Sequence, residues 1–160
     1  NVLLDEESNA LALIDYGQLI GPLSVADRVQ LAKLLVAQDD GDADGCKAAY
    51  ERLGMQFIWK PTGERNPPNV SLAVASMHFG GTQGLYTCMK QLGFVSVADL
   101  MGPAMAEKFE IEQISDDYTQ VQRCAMVLKG VGDAIGAMGL PPARMLRPSA
   151  EAFLREQGEL

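Results

Sequence analysis

The residues best placed for chemistry lie at the amino-terminal end of the chain. Asn1 precedes a short apolar run, Val2-Leu3-Leu4, and Asp15 follows a second, Leu11-Ala12-Leu13-Ile14. Between them Glu6-Glu7-Ser8-Asn9 has the composition of a polar turn, so residues 1–18 are expected to form a β-hairpin. With the turn centred near Ser8, Val2 pairs with Ile14 and Asn1 lies opposite Asp15, their Cα atoms roughly 5 Å apart. An amide oxygen and a carboxylate then converge at the open end of the hairpin. Such hard oxygen donors suit Mg²⁺, which keeps waters and completes its shell with substrate phosphates. Gly17 lets the backbone turn sharply after Asp15. Ordinary turn chemistry explains the same residues without a metal, since Asp and Gly are common turn formers.

Other chemical candidates have plainer explanations. Asp39, Asp40 and Asp42 bracket Gly41 and resemble part of a calcium loop, but the bidentate Glu at its twelfth position is missing, which favours a solvated loop between helices. Gly80-Gly81-Thr82-Gln83-Gly84 is glycine-rich, yet it follows a helical pattern and lacks the phosphate-loop Lys, so a loop is expected there. His78 has no Ser or Cys partner in sequence and reads as a satisfied core histidine. Met77, Met89, Met101, Met105, Met126, Met138 and Met145 read as core filler, with a Met-rich binding groove as the alternative. Arg123, Lys129, Arg144, Arg147 and Arg155 concentrate positive charge in the last third. They read as a solvated helix surface rather than a phosphate or lipid-headgroup patch.

These candidates must be positioned by a mostly helical body. Ser24 is an N-cap with Asp27 three residues on, opening a helix that Asp39-Asp40-Gly41-Asp42 ends. Further helices are expected over 44–53, 69–79, 85–92, 97–101 and 116–138, with a last one over 148–157 that carries Pro148 at its first position. Met55 to Trp59 is a short apolar stretch able to dock on the core. Pro61 to Pro68 reads as the most mobile surface loop. The fold class is therefore α+β, mostly α: a hairpin over 1–18 followed by a helical region over 24–160 with about six or seven helices.

Composition narrows the function classes. The 160 residues are 48% hydrophobic and 21% charged, enough to bury a core. A net charge of −8 argues against nucleic acid as a partner and gives no attraction to an anionic membrane surface. Three Cys with no close pair exclude a disulfide framework and a Cys-rich zinc site, and a single His excludes most His-based metal sites. There is no signal peptide, and the weakly polar stretch 124–140 is too short and too charged to span a bilayer. The chain opens on Asn rather than Met, so it is expected to be a processed chain or a piece of a longer protein.

The run Asn1-Val-Leu-Leu, an acidic turn, then Leu13-Ile14-Asp15-Tyr16-Gly17-Gln18 resembles the metal-binding hairpin of the protein kinase superfamily, with its catalytic-loop Asn and Asp-Phe-Gly triplet. Within that superfamily it resembles the aarF/UbiB/ADCK atypical kinases, which carry Pro-Gly-Asn-Ile/Val-Leu followed by Leu-Ile-Asp-Phe/Tyr-Gly. Leu19, Gly21, Leu23, Arg28 and Leu31-Ala32 are also similar to that family, as is the ending with Arg144, Arg147-Pro148, Ala150 and Leu154. The resemblance is sharp over residues 1–36 and faint beyond.

The resemblance implies a kinase-like carboxy-terminal lobe. It implies that Asn1 and Asp15 hold Mg²⁺ against the phosphates of ATP, with Gly17 in the turn beside the nucleotide. It further implies a parent kinase or ATPase linked to prenylquinone or ubiquinone metabolism in bacteria, mitochondria or plastids, with lipid or peripheral membrane association. The partners it implies are a nucleotide and the amino-terminal lobe of the same chain. The family's catalytic Asp, nucleotide-anchoring Lys and Lys-x-Gly-Gln segment are absent from these residues, so the 160 residues alone are expected to be inactive. Two alternatives remain. One is another kinase-like small-molecule phosphotransferase. The other is a non-catalytic helical binding or pseudokinase domain.

Overall fold

The computed structural model describes residues 2–5, 7, 10–13, 23–134 and 141–160. The fold is α+β and mostly helical. Strands β1 (Val2–Asp5) and β2 (Ala10–Leu13) form the expected antiparallel hairpin. Its register differs by one residue from the expected one: Val2 faces Leu13, not Ile14, and Asp5 faces Ala10. The turn is thus centred one half-step earlier than Ser8.

Helix α1 (Val25–Asp40) begins where the cap chemistry places it. The Ser24 side chain accepts a hydrogen bond from the Asp27 backbone N–H, and its hydroxyl donates to the Asp27 carboxylate. Gly41, at φ 72°, closes the helix in the left-handed conformation. Asp42 then caps α2 (Ala43–Arg52) by accepting from Gly45 N–H.

The next segment corrects the sequence expectation. Gln56–Trp59 forms β3, which lies between β4 (Glu64–Arg65) and β5 (Phe109–Gln113) in a three-stranded antiparallel sheet. The loop expected over 61–68 is therefore a tight hairpin connection plus a helix start. Asn66 fixes it. Completely buried at φ 44°, its side chain accepts from Phe57 N–H at 2.8 Å and donates to the Met55 carbonyl at 2.9 Å. Asn tolerates this left-handed conformation better than most residues, and here its amide also serves the backbone of β3.

Helix α3 (Pro68–Phe79) is the centre of the molecule. Its sequence is apolar or small on every side, and Val70, Ser71, the run Ala73 to Ser76, His78 and Phe79 are all buried. A helix apolar all round must be surrounded, and α2, α4 and α7 pack around this one. Helix α4 (Gly81–Leu92) starts four residues earlier than expected, so the glycine-rich run is its first turn rather than a loop. The reason is close approach. A Cβ on Gly84 would lie 2.3 Å from the Ser76 carbonyl oxygen, and one on Gly80 would lie 2.5 Å from it. These glycines let α4 turn directly off the end of α3.

Short helices α5 (Val97–Leu100) and α6 (Pro103–Lys108) lead into β5. Ser96 and Asp99 form a reciprocal capping box on α5. Helix α7 (Asp116–Ala134) docks on the core through Tyr118, Val121 and Ala125. Helix α8 (Pro142–Glu156) begins six residues before the expected start. Pro142 occupies the early position, and Pro148 lies inside the helix. The described residues thus hold eight helices, one more than the upper expectation, and a three-stranded sheet that the helical reading of 24–160 did not include.

Two apolar clusters hold the body together. The larger joins α1, α2, α3, α4, β3 and α7, with Tyr50, Phe57 and Phe79 among its most buried rings. The smaller joins α1 to α8 through Val29, Ala32, Ala150 and Leu154, edged by Val36 and Phe153.

Candidate functional site

The residues named for metal and nucleotide, Asn1, Asp15 and Gly17, lie outside the described residues. The hairpin beside them is described. Its open end is the Val2–Leu13 pair, which Asn1 precedes by one residue and Asp15 follows by two in sequence. One amide oxygen and one carboxylate remain a donor set of the kind Mg²⁺ accepts.

The other acidic candidates have structural partners. Asp39 accepts from Arg147 at 3.0 Å and from Arg144 at 3.2 Å, while Asp40 accepts from Arg147 at 2.5 Å. Asp42 is a helix cap. Among the described residues no group of three or more His, Cys, Asp or Glu side chains could hold a metal ion. Three arginines of the last third, Arg144, Arg147 and Arg155, are engaged as well. Arg147 also donates to Glu151 at 2.7 Å, and Arg155 donates to Glu151 at 3.0 Å. These hydrogen bonds, those to Asp40 foremost, raise the Arg147 pKa, and Arg147 with Arg155 lowers that of Glu151. No described helix is long and apolar enough to cross a membrane.

The described body carries one further chemical feature, a chain of polar side chains inside the core. Gln122 on α7 lies 2.5 Å from Nε2 of His78 on α3. Nδ1 of His78 is 3.2 Å from the Tyr118 hydroxyl, which donates to the Tyr50 hydroxyl at 3.2 Å. With the Gln122 amide donating to Nε2, the ring proton belongs on Nδ1 and points at Tyr118. His78, Tyr118 and Tyr50 are all buried. Burial lowers the His78 pKa to about 4 and raises both tyrosine pKa values, so the chain is neutral across the physiological range. A histidine held neutral in this way is a hydrogen-bonding core residue, as expected, and a weak general base. Cys46 and Cys88 are buried too, and burial raises each thiol to about 12, which leaves them inert as nucleophiles.

This polar chain ends at a groove of about 480 Å³ lined by His78, Gln122, Met77, Met101, Met105, Met126 and Ile111, with Phe109 and Leu100 deeper. Four of the seven methionines named from the sequence meet there, on α3, α7 and the α5–α6 region. The groove alternative was therefore visible in composition. Its location was not, because one wall is β5, which carried no recognised strand signal. Met89, by contrast, is core filler, and Met138 lies outside the described residues.

Comparison of the chain with family models, with curated proteins and with solved structures finds no match.

Proposed function

We propose that these residues are the carboxy-terminal lobe of an atypical kinase or ATPase of the aarF/UbiB/ADCK type. In this reading Asn1 and Asp15 contribute oxygen ligands to Mg²⁺, and Gly17 gives the turn beside the phosphates of ATP. The intact protein would then act in prenylquinone-related lipid metabolism. The observation that carries the reading is the β1–β2 ladder. The two apolar runs flanked by Asn1 and Asp15 do pair antiparallel, so both residues belong in sequence to one end of one hairpin. A helical body follows, as the resemblance implies.

Phosphoryl transfer depends on positioning and electrostatics, and two metal ligands supply neither the phosphate clamp nor the catalytic base. The 160 residues alone should therefore be inactive, with turnover needing the family's amino-terminal lobe. The test is Mg²⁺-dependent ATP binding by the intact protein. Asp15→Ala should weaken it by at least about tenfold, the size of a lost charged ligand contact. Unchanged binding would overturn the reading. So would nucleotide turnover by the 160-residue chain that is lost on Asp15→Ala, since it would show that no further lobe is needed.

The Met-lined groove favours a second reading, a helical binding domain. An apolar concavity with a few polar groups at one end is the usual form of a binding site. Under this reading binding at the groove survives Asp15→Ala unchanged.

A further inference from the structure

We propose that the free edge of β5, together with the groove beside it, docks an extended polypeptide segment in which apolar and basic residues alternate. Three observations carry the proposal, none of which concerns the hairpin.

The first is the sheet order, β4-β3-β5, which leaves β5 with a single strand partner among the described residues. Glu110, Ile111, Glu112 and Gln113 are all exposed. An edge strand presents a row of backbone N–H and C=O groups that template another strand. The opposite edge, β4, is only two residues long and offers little.

The second is the division of β5 between two faces. Phe109 and Ile111 share the face that lines the groove, and Ile111 is 55% exposed. Glu110 stands opposite Ile58, as Arg65 does on the other side, so the two share the other face; Glu112, at the bulge in β5, meets that face through its ion pair with Arg65. Glu110 makes no ion pair among the described residues, while Glu112 is bound by Arg65. A strand added to β5 would place its alternate side chains over Ile111 and into the space walled by Met105 and Met126. The intervening ones would lie beside Glu110 and Glu112. Flexible thioethers adapt to whichever apolar side chain enters.

The third is charge. Edge strands are often guarded by lysine or proline. Here the guard is two glutamates of one sign. A second copy of this chain, pairing antiparallel about Ile111, would set Glu110 against Glu112 twice, and like charges directly opposite are destabilising. A segment with Lys or Arg at those positions meets complementary charge, on a protein whose net charge is already −8.

A peptide of alternating Lys and Val tests this on the 160-residue chain, with a block-sequence peptide of the same composition as control. The alternating peptide should bind at 0.15 M salt and slow hydrogen exchange at the amides of 109–113. Glu110→Lys and Met126→Lys, both at exposed positions, should each weaken it by about tenfold or more. Equal binding of the block peptide would overturn the proposal, since net charge alone would then explain the affinity. Protection elsewhere, or indifference to Glu110→Lys, would overturn it as well. So would a peptide-free dimer broken by Ile111→Lys, which would make the edge a self-contact.

Discussion

Two joints between helices of this protein rest on different physics. At the inner joint α2, α3 and α7 meet through Tyr50, His78 and Tyr118, a neutral hydrogen-bonded chain surrounded by apolar side chains. At the outer joint α1 meets α8 through four buried residues, ringed by Arg144, Arg147, Asp39, Asp40 and Glu151 in contact with water. The inner groups have no solvent to fall back on, so each must keep its partner and its protonation state. The outer groups can exchange protein for water at little cost. The inner joint should therefore respond to shape and to pH, the outer one to salt and to local opening.

The largest effect expected is at the inner joint. Tyr118→Ala removes a buried ring that meets Tyr50 edge-on at 5.6 Å. The loss should be about 3–5 kcal/mol, the range for emptying an aromatic site in a core. Urea denaturation should show one cooperative transition moved to lower concentration. Tyr118→Phe separates polarity from packing. It keeps the ring but strands a His78 N–H and a Tyr50 hydroxyl, at about 1–3 kcal/mol.

Acid should discriminate between the joints next. An unfolded histidine titrates near 6.5, and His78 in the fold titrates near 4. Between those values the unfolded chain binds more protons, so stability rises with pH. The His78 contribution is complete above about 6.5 and is lost as pH falls toward 4, amounting to about 3 kcal/mol at most. His78→Gln should flatten the stability profile across that window. Glu151, lowered by its arginines, adds its own loss only below the ordinary carboxylate range. A profile that falls between pH 6.5 and 5 unchanged in His78→Gln would show that the inner joint is not the source.

The outer joint should yield locally. Leu154→Ala should cost about 2 kcal/mol, toward the low end for a buried leucine because this cluster is small and can relax. Hydrogen exchange at α8 amides should accelerate while α3 amides keep their protection, the mark of sub-global opening. Equal acceleration in both helices would mean that the joints are one cooperative unit.

The same contrast explains which parts of the fold could be read from sequence. Caps are local chemistry, and Ser24 and Gly41 act as their types and spacing indicate, while Asp42, read as part of a loop, caps the next helix. The broad apolar face of α1 and the helical spacing of apolar residues in α7 mark both as helices from local pattern. The misses depend on packing, pairing and backbone contacts that the local run of residue types does not show. The glycine-rich run became a helix start because Gly80 and Gly84 must clear the Ser76 carbonyl of the preceding helix. Asn66 read as loop polarity, although its amide serves the backbone of β3. β5 is Phe-Glu-Ile-Glu-Gln, an alternation too short to stand out in the unassigned stretch between two helices, and only its pairing with β3 makes it a strand. Pro148 read as a helix start because nothing in sequence shows that α8 already runs from Pro142. Of the candidate site, residue types at Asn1, Asp15 and Gly17 were legible. The hairpin register was not, since two nearly continuous apolar runs do not mark which face each residue takes.

The smallest effect, and the one that most directly tests the outer joint, belongs to Arg147. Its guanidinium reaches Asp39 and Asp40 at the carboxy-terminal end of α1, where two carboxylates oppose the helix dipole. Removing the arginine therefore does more than delete a contact. It leaves the acids repelling each other and the helix end, with Arg144 on Asp39 as the remaining counter-charge. Arg147→Met keeps much of the aliphatic stem that packs along α8 and should lower the melting temperature slightly at low salt. The difference should vanish near 1 M salt, where the Debye length is about 3 Å. Adding Asp40→Asn should restore part of the loss, because the stranded carboxylate is itself the cost. A salt-independent loss would assign the role of Arg147 to packing, and the two joints would then differ in degree rather than in kind.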